Sequence, residues 1–296
     1  MERCGMARAK INLLLEVVGR RADGYHLIDG VMQSLALGDP MCVTWDGTGE
    51  GVALRLTNGG ELPTDRGNLA YRAAEAFLAE SGLGGRVTVE LEKRIPIAGG
   101  LAGGSSDAAC VLRLLNRMAG KRALTEDRLA ALAAGLGADV PFCLLSSGGA
   151  MRTQGIGEVL TAVPPLPPCT VLVARAGEGV STPWAYAALD AAHASDELSE
   201  VEGVLAALRS GDLRQIAAAC RNVFESVVMP VRPAVCRLKE QMREAGALVS
   251  MMSGSGPSVF GLFEDRAAAE ALCLRLRAEG AVAFVTEPAA TNAEQI

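Results

Sequence analysis

The segment PIAGGLAGGSSDAA, residues 96–109, places Gly99, Gly100, Gly103, Gly104 and then Ser105 and Ser106 immediately ahead of a helical pattern. Glycine inside an element costs about 0.5–1 kcal/mol relative to alanine, so such a cluster needs a special backbone conformation or a ligand that must approach the main chain. A glycine turn entering a helix N-terminus presents several N–H groups and the positive end of the helix dipole, the setting that phosphate prefers. A simple packing turn would need fewer glycines. Three phosphate loops are excluded. A Walker loop requires a lysine after its last glycine, where this chain has Ser105. The dinucleotide fingerprint belongs to a parallel βαβ unit and has another glycine spacing. The protein-kinase loop is a hairpin and does not open directly into a helix.

The elements around this loop must hold it in place. Before it, RVTVELEKRIP alternates, with Val87, Val89 and Leu91 on one face, and predicts a half-buried strand. After it, DAACVLRLLNRMAG predicts a helix starting near Ser106, with Ser105, Ser106 and Asp107 as capping residues and Gly120 as the stop. KINLLLEVVGRR reads as a strand, DGYHLIDG as a glycine turn, and VMQSLALGD, MCVTWDG and VALRLTN as further strands. Asn68 precedes the helical LAYRAAEAFLAESG, and EDRLAALAAGLGADVPF is a helix that breaks between Gly135 and Pro141. The linker AVPPLPPC, residues 162–169, divides the chain into units 1–162 and 163–296. The second unit reads strand, four helices, two strands around a glycine turn, helix and strand, an order compatible with a ferredoxin-like sheet. Its tail, AATNAEQI, is expected to fray.

Composition narrows the function. The 296 residues are 50% hydrophobic but only 4% aromatic, which fits two α and β units packed through small side chains. A net charge of −6 offers no long-range attraction to nucleic acid. No run reaches the 18 or more apolar residues of a membrane span, and MERCGMARAK lacks an apolar signal core, so a cytoplasmic protein is expected. Eight scattered cysteines without a CxxC pair read as reduced and buried. His26 and His193, the two histidines, lie far apart without zinc-ligand spacing. A metal should therefore be a hard ion carried with a phosphate.

Pro96, Gly100, Leu101, Ser105 and Ser106 together resemble the signature of the GHMP kinases. ARAKINLLLEVVGRRADGYHLIDGVMQSL (7–35), GLGADVPF (135–142) and MSGSGPSVFGLF (252–263) extend that resemblance over nearly the whole chain. The segment GRRADGYH is most similar to the branch whose acceptor alcohol carries a cytidine diphosphate head. The resemblance implies an α+β fold of two domains, an N-terminal ribosomal protein S5 domain 2-like ATP-binding domain and a C-terminal ferredoxin-like domain. It implies ATP, Mg²⁺ arriving with ATP, no protein residue assigned to the metal, a small-molecule partner, and a monomer or weak homodimer.

The same resemblance implies roles for residues. ATP is taken by Pro96, Ile97, Ala98, Gly99, Gly100, Leu101, Ala102, Gly103, Gly104, Ser105 and Ser106, with Asn68 on the adenine side. Ala102 stands where many relatives have glycine, and its methyl group is tolerated if φ is negative. Asp139 matches the catalytic aspartate, although an aspartate in such a turn would ordinarily be a cap. Lys10 takes the complementary cationic role, in place of the solvated edge charge that a lone lysine beside a strand would otherwise be. Asn12, Tyr25, His26, Thr182 and Tyr186 join Asp139 on the substrate side, with Trp184 as the alternative to Tyr186. Tyr25 would stack on the pyrimidine, a contact of about 1–3 kcal/mol, and His26 would read its edge. Asn222 reads as structural, and Gly254 and Gly256 either approach the substrate phosphate or serve a strained turn. Homoserine or mevalonate as acceptor is disfavoured by the Tyr25–His26 turn. A noncatalytic nucleotide sensor or an RNA-binding module is disfavoured by Lys10 with Asp139 and by the acidic charge.

Overall fold

The computed structural model describes residues 1–59, 62–192 and 200–290, so His193 and most of the expected frayed tail lie outside the described residues. β1 (Glu2–Arg20) and β2 (His26–Asp46) form one long antiparallel hairpin turning at residues 21–25. VMQSLALGD and MCVTWDG, read as separate strands, are therefore one. Gly38, Asp39 and Pro40 do not break it, because β1 stays in register opposite them at Arg8, Ala7 and Met6. β3 (Gly51–Leu56), β4 (Arg86–Leu91), β5 (Ala150–Gly155) and β6 (Val159–Val163) extend this sheet, with β4 paired to Met41–Asp46 of β2 and β5 to Ile28–Gln33.

Four helices pack against the sheet: α1 (Leu69–Ser81), α2 (Gly103–Met118), α3 (Glu126–Leu136) and α4 (Val140–Leu145). Their core joins Phe77, Leu112 and Phe142 to Val87, Val89 and Leu91, so the alternation read in β4 is the alternation observed. α2 starts at Gly103, three residues before the expected start, and Ser105, Ser106 and Asp107 lie in its first turns without capping it. α3 runs to Leu136 with Gly137 as its C-cap, inside the break expected between Gly135 and Pro141.

The second half contains β7 (Thr170–Arg175), α5 (Thr182–Ala191), α6 (Val201–Ser210), α7 (Leu213–Ala219), β8 (Arg221–Asn222), α8 (Glu225–Val228), α9 (Pro233–Glu244), β9 (Val249–Met252), β10 (Val259–Phe263), α10 (Arg266–Ala278) and β11 (Val282–Thr286). Its antiparallel sheet has the order β11-β7-β10-β9, the strand arrangement of a ferredoxin-like unit. β8 leaves that unit and pairs in parallel with Leu14 and Leu15 of β1. The two units share a core. Val171 and Val173 of β7 pack with Ile11 and Leu13 of β1, whereas Leu172 and Ala174 face the other way, toward Leu238 of α9 and Leu272 of α10.

One expectation about the cysteines fails. Cys4 and Cys42 stand directly opposite in the β1–β2 register and form a disulfide, a pairing that no local spacing announces. Cys110, Cys143 and Cys273 are free and buried; Cys169, Cys220 and Cys236 are free and half-buried.

Candidate active site

β1 is irregular where its chemistry lies. Its register with β2 shifts between Arg8 and Lys10 and again between Asn12 and Leu14, and such bulges re-aim the side chains they bracket. Lys10 is 3% exposed, so it is no solvated edge charge. Its Nζ donates to Asn12 Oδ1 at 2.6 Å and lies 3.6 Å from Asp139 Oδ2. Asn12 Oδ1 also accepts the Gly254 N–H at 3.0 Å. Asp139 precedes α4 at its N-terminal boundary, yet its side chain makes no capping hydrogen bond. The carboxylate is left for another use, with its side chain 37% exposed.

The glycine loop is clamped from both halves of the molecule. Leu101 O accepts the Lys10 N–H, Gly99 O accepts the Ser258 N–H, and Gly100 O accepts the Ser253 hydroxyl at 3.0 Å. A Cβ on Gly100, whose φ is +78°, would lie 2.0 Å from Ser253 O, so this approach requires glycine. Ala102 departs from its expected negative φ, with a value of +55°, and Ala98 has +51°. Each left-handed alanine costs about 1–2 kcal/mol, which the surrounding clamp offsets. Ser106 turns inward, where its hydroxyl donates to Arg8 O. Ser105 remains half-buried at the surface of the loop.

Two cavities meet here. One, of about 650 Å³, is lined by Lys10, Asn12, Tyr25, His26, Thr182 and Tyr186. The other, of about 370 Å³, is lined by Asn68, Pro96–Gly100 and Ala102–Ser105. Gly100, Ser105 and Asp139 line both. A wider, shallow groove of about 1010 Å³ runs between α1 and α3 and contains none of these residues. Of the residues expected at the nucleotide, Leu101 and Ser106 are 1% exposed and line neither cavity.

Asn68 is already engaged. Its Oδ1 accepts from Ala70 N at 2.9 Å and caps α1, and its Nδ2 donates to Pro63 O. Thr182 Oγ1 lies 2.9 Å from Ser255 Oγ. Tyr25 is 61% exposed at the hairpin turn, and Tyr186, not Trp184, lines the larger cavity. Tyr186 stacks on His26, with ring centroids 4.6 Å apart, and burial pushes its phenol up to about 12. Asn222 is structural as expected, donating to Met252 O and Gly254 O and accepting from Phe224 N.

Sequence reasoning missed two sets of residues. Lys93 is held between Asp39 at 2.5 Å and Asp107 at 2.6 Å, and Lys93 and Asp107 themselves line the smaller cavity. Lys93 sits in the charged run EKR and looks like a surface residue; only Asp107, inside the glycine motif, carried a local signal. Arg20 and Asp190 join the hairpin turn to α5, with Asp190 Oδ1 2.6 Å from His26 Nε2. They are separated by 170 residues and leave no local pattern. Among the described residues no group of three or more His, Cys, Asp or Glu side chains could hold a metal ion. The hard oxygen donors at the junction, the Ser105 hydroxyl and the Asp139 carboxylate, suit an ion such as Mg²⁺ that keeps most of its ligands from water and phosphate. No helix among the described residues is long and apolar enough to cross a membrane.

Comparison with known proteins places this geometry among relatives. The GHMP kinases N terminal domain matches residues 68–147 and the GHMP kinases C terminal domain residues 204–282. The chain is 43% identical over 260 residues to the 4-diphosphocytidyl-2-C-methyl-D-erythritol kinase of Alkaliphilus metalliredigens, covering 88% of this chain and 87% of that protein. It is 40% identical over 284 residues to the enzyme of the same name from Lachnospira eligens, covering 95% and 96%. A crystal structure of 4-(cytidine 5'-diphospho)-2C-methyl-D-erythritol kinase superposes with a TM-score of 0.80 at 37% identity, over 98% of this chain and 100% of that one. A homoserine kinase from Cytophaga hutchinsonii shares the fold, with a TM-score of 0.73 at 20% identity over 98% of this chain and 96% of that one.

Proposed function

The chain belongs to the 4-diphosphocytidyl-2-C-methyl-D-erythritol kinases of the GHMP kinase family, and we propose that it transfers the terminal phosphoryl group of ATP to the 2-hydroxyl of that alcohol. The products are the 2-phosphate and ADP, on the non-mevalonate route to isoprenoid precursors. The observation that carries this reading is the meeting of the two cavities at Asp139, Ser105 and Gly100, with Lys10 3.6 Å from the Asp139 carboxylate.

In this reading ATP occupies the smaller cavity, with Asn68 on the adenine side and the main-chain N–H groups of 99–105 at the phosphates. The acceptor occupies the larger cavity, its cytosine stacked on Tyr25 and read at its edge by His26, its polar groups at Asn12 and Thr182. Asp139 accepts the proton of the acceptor hydroxyl as the new O–P bond forms and the bond to the ADP oxygen breaks. Lys10, fixed by Asn12, neutralises charge that develops on the transferring group. The Ser105 hydroxyl would help hold magnesium arriving with ATP, and the ion when bound would neutralise charge at the phosphoryl oxygens. We take 1–162 as the nucleotide-binding unit and 163–296 as the second, although the shared core makes them one working body. The setting is cytoplasmic, and a monomer or weak homodimer suffices because both cavities are lined by one chain.

The test is ADP release on mixing the protein with ATP, Mg²⁺ and the cytidylyl alcohol, with the product's new phosphomonoester read by ³¹P NMR. Homoserine and mevalonate serve as alternative acceptors. Turnover of either, with none of the cytidylyl alcohol, would overturn the reading.

A further inference from the structure

α5 presents Tyr186 and Asp190, four residues apart and so on one helical face, directly to His26 in the wall of the larger cavity. Tyr186 stacks on the imidazole with an interplanar angle of 23° and is itself braced edge-on by Phe224 at 4.9 Å. Asp190 Oδ1 lies 2.6 Å from His26 Nε2, while Oδ2 accepts from Arg20 Nη1 at 3.2 Å. The ring is thus held on one face and one edge. Its other nitrogen, Nδ1, has no partner among the described residues. The hydrogen bond from His26, helped by Arg20, holds the Asp190 carboxyl below the usual carboxylate range, so it is an acceptor at neutral pH.

An ionised carboxylate can only accept, so the hydrogen between the two groups sits on Nε2, and a ring carrying that one hydrogen has a bare lone pair on Nδ1. We propose that Asp190 is a specificity-determining positioning residue, which leaves His26 Nδ1 as an acceptor that welcomes the exocyclic amino group of cytosine and opposes the carbonyl oxygen of uracil. This rests on the reading that the larger cavity takes a cytidine diphosphate head. Arg20 shares the role by holding the second carboxylate oxygen, and Tyr186 fixes the plane in which the lone pair points.

Two measurements test the proposal. In ¹⁵N-histidine NMR of the wild-type protein, with His193→Gln used for assignment, His26 should show a protonated Nε2 and a bare Nδ1; a hydrogen on Nδ1 would overturn it. Asp190→Asn offers an amide N–H to Nε2 and so admits the opposite tautomer. Its preference for the cytidylyl alcohol over the uridylyl analogue, as a ratio of kcat/KM, should fall about tenfold or more, with the loss in KM. An unchanged ratio would overturn the inference, because a merely structural Asp190 would slow both alcohols equally. Turnover of neither alcohol by the wild-type protein would instead overturn the reading of the cavity, and the inference with it.

Discussion

Two lysines flank the glycine loop and are built in opposite ways. Lys10 has one carboxylate, Asp139, at 3.6 Å, and that carboxylate stands partly open at the cavity junction. Lys93 is gripped by Asp39 and Asp107, whose side chains are 0% and 2% exposed. Asp39 also accepts the main-chain N–H groups of Arg94 and Ile95. A loose, partly solvated pair is readily parted by an entering hydroxyl or phosphoryl oxygen. A buried trio at contact distance resists separation, since removing one partner strands charge away from water. Lys10 and Asp139 are thus arranged to react. Lys93, Asp39 and Asp107 are arranged to tie β2, the segment entering the loop and the first turn of α2 into one frame.

Breaking the frame should have the largest effect. Lys93→Met leaves two buried carboxylates face to face and should destabilise the fold by about 3–5 kcal/mol, read in the urea midpoint. A loss below about 1 kcal/mol would make the trio no stronger than a surface pair. Asp139→Asn should leave stability and ATP binding intact but lower turnover by at least about two orders of magnitude, equivalent to about 2.7 kcal/mol. Near wild-type rates would remove Asp139 from the chemistry.

The frame also has a pH signature. Burial pushes the Asp107 carboxyl up to about 7 against the opposing pull of Lys93. Its folded value exceeds its unfolded one, so between about pH 4 and 7 the native chain holds a proton that the unfolded chain has released. The contribution of Asp107 to stability is therefore fully present below this window and declines as pH rises through it. Asp107→Asn should flatten that slope in urea titrations; an unchanged slope would assign it to other groups. The smallest effect sharpens the loop between the two lysines. Ala102→Gly relieves a left-handed alanine and should raise stability by up to about 1 kcal/mol, net of the entropy glycine adds to the unfolded chain. Destabilisation would mean that the Ala102 methyl group contributes packing worth more than its strain.

Much of this was legible in the chain because it is local. The alternation of Val87, Val89 and Leu91 appears as β4, and the glycine segment does open into α2. The ferredoxin-like order of the second sheet followed from the order of its elements. The start of α2 and the positive φ of Ala102 leave no local pattern, for one reason. A helix start is normally signalled by a side-chain cap, and here hydrogen bonds from β1 and from residues 253–258 hold the loop instead. Those partners lie about 90 and 150 residues away, beyond any window of periodicity.

By itself the sequence determined the residue types: glycines where a side chain would collide, two serines, and a carboxylate in an apolar turn. Backbone preference and hydrophobic period act over a few residues, so they could specify these pieces and the elements carrying them. Only the tertiary structure decided which lysine meets which carboxylate, that Cys4 meets Cys42, and that Asp190 holds His26. Those pairings depend on strand register and on the core shared by the two halves, and register is a property of the whole sheet, not of any one strand.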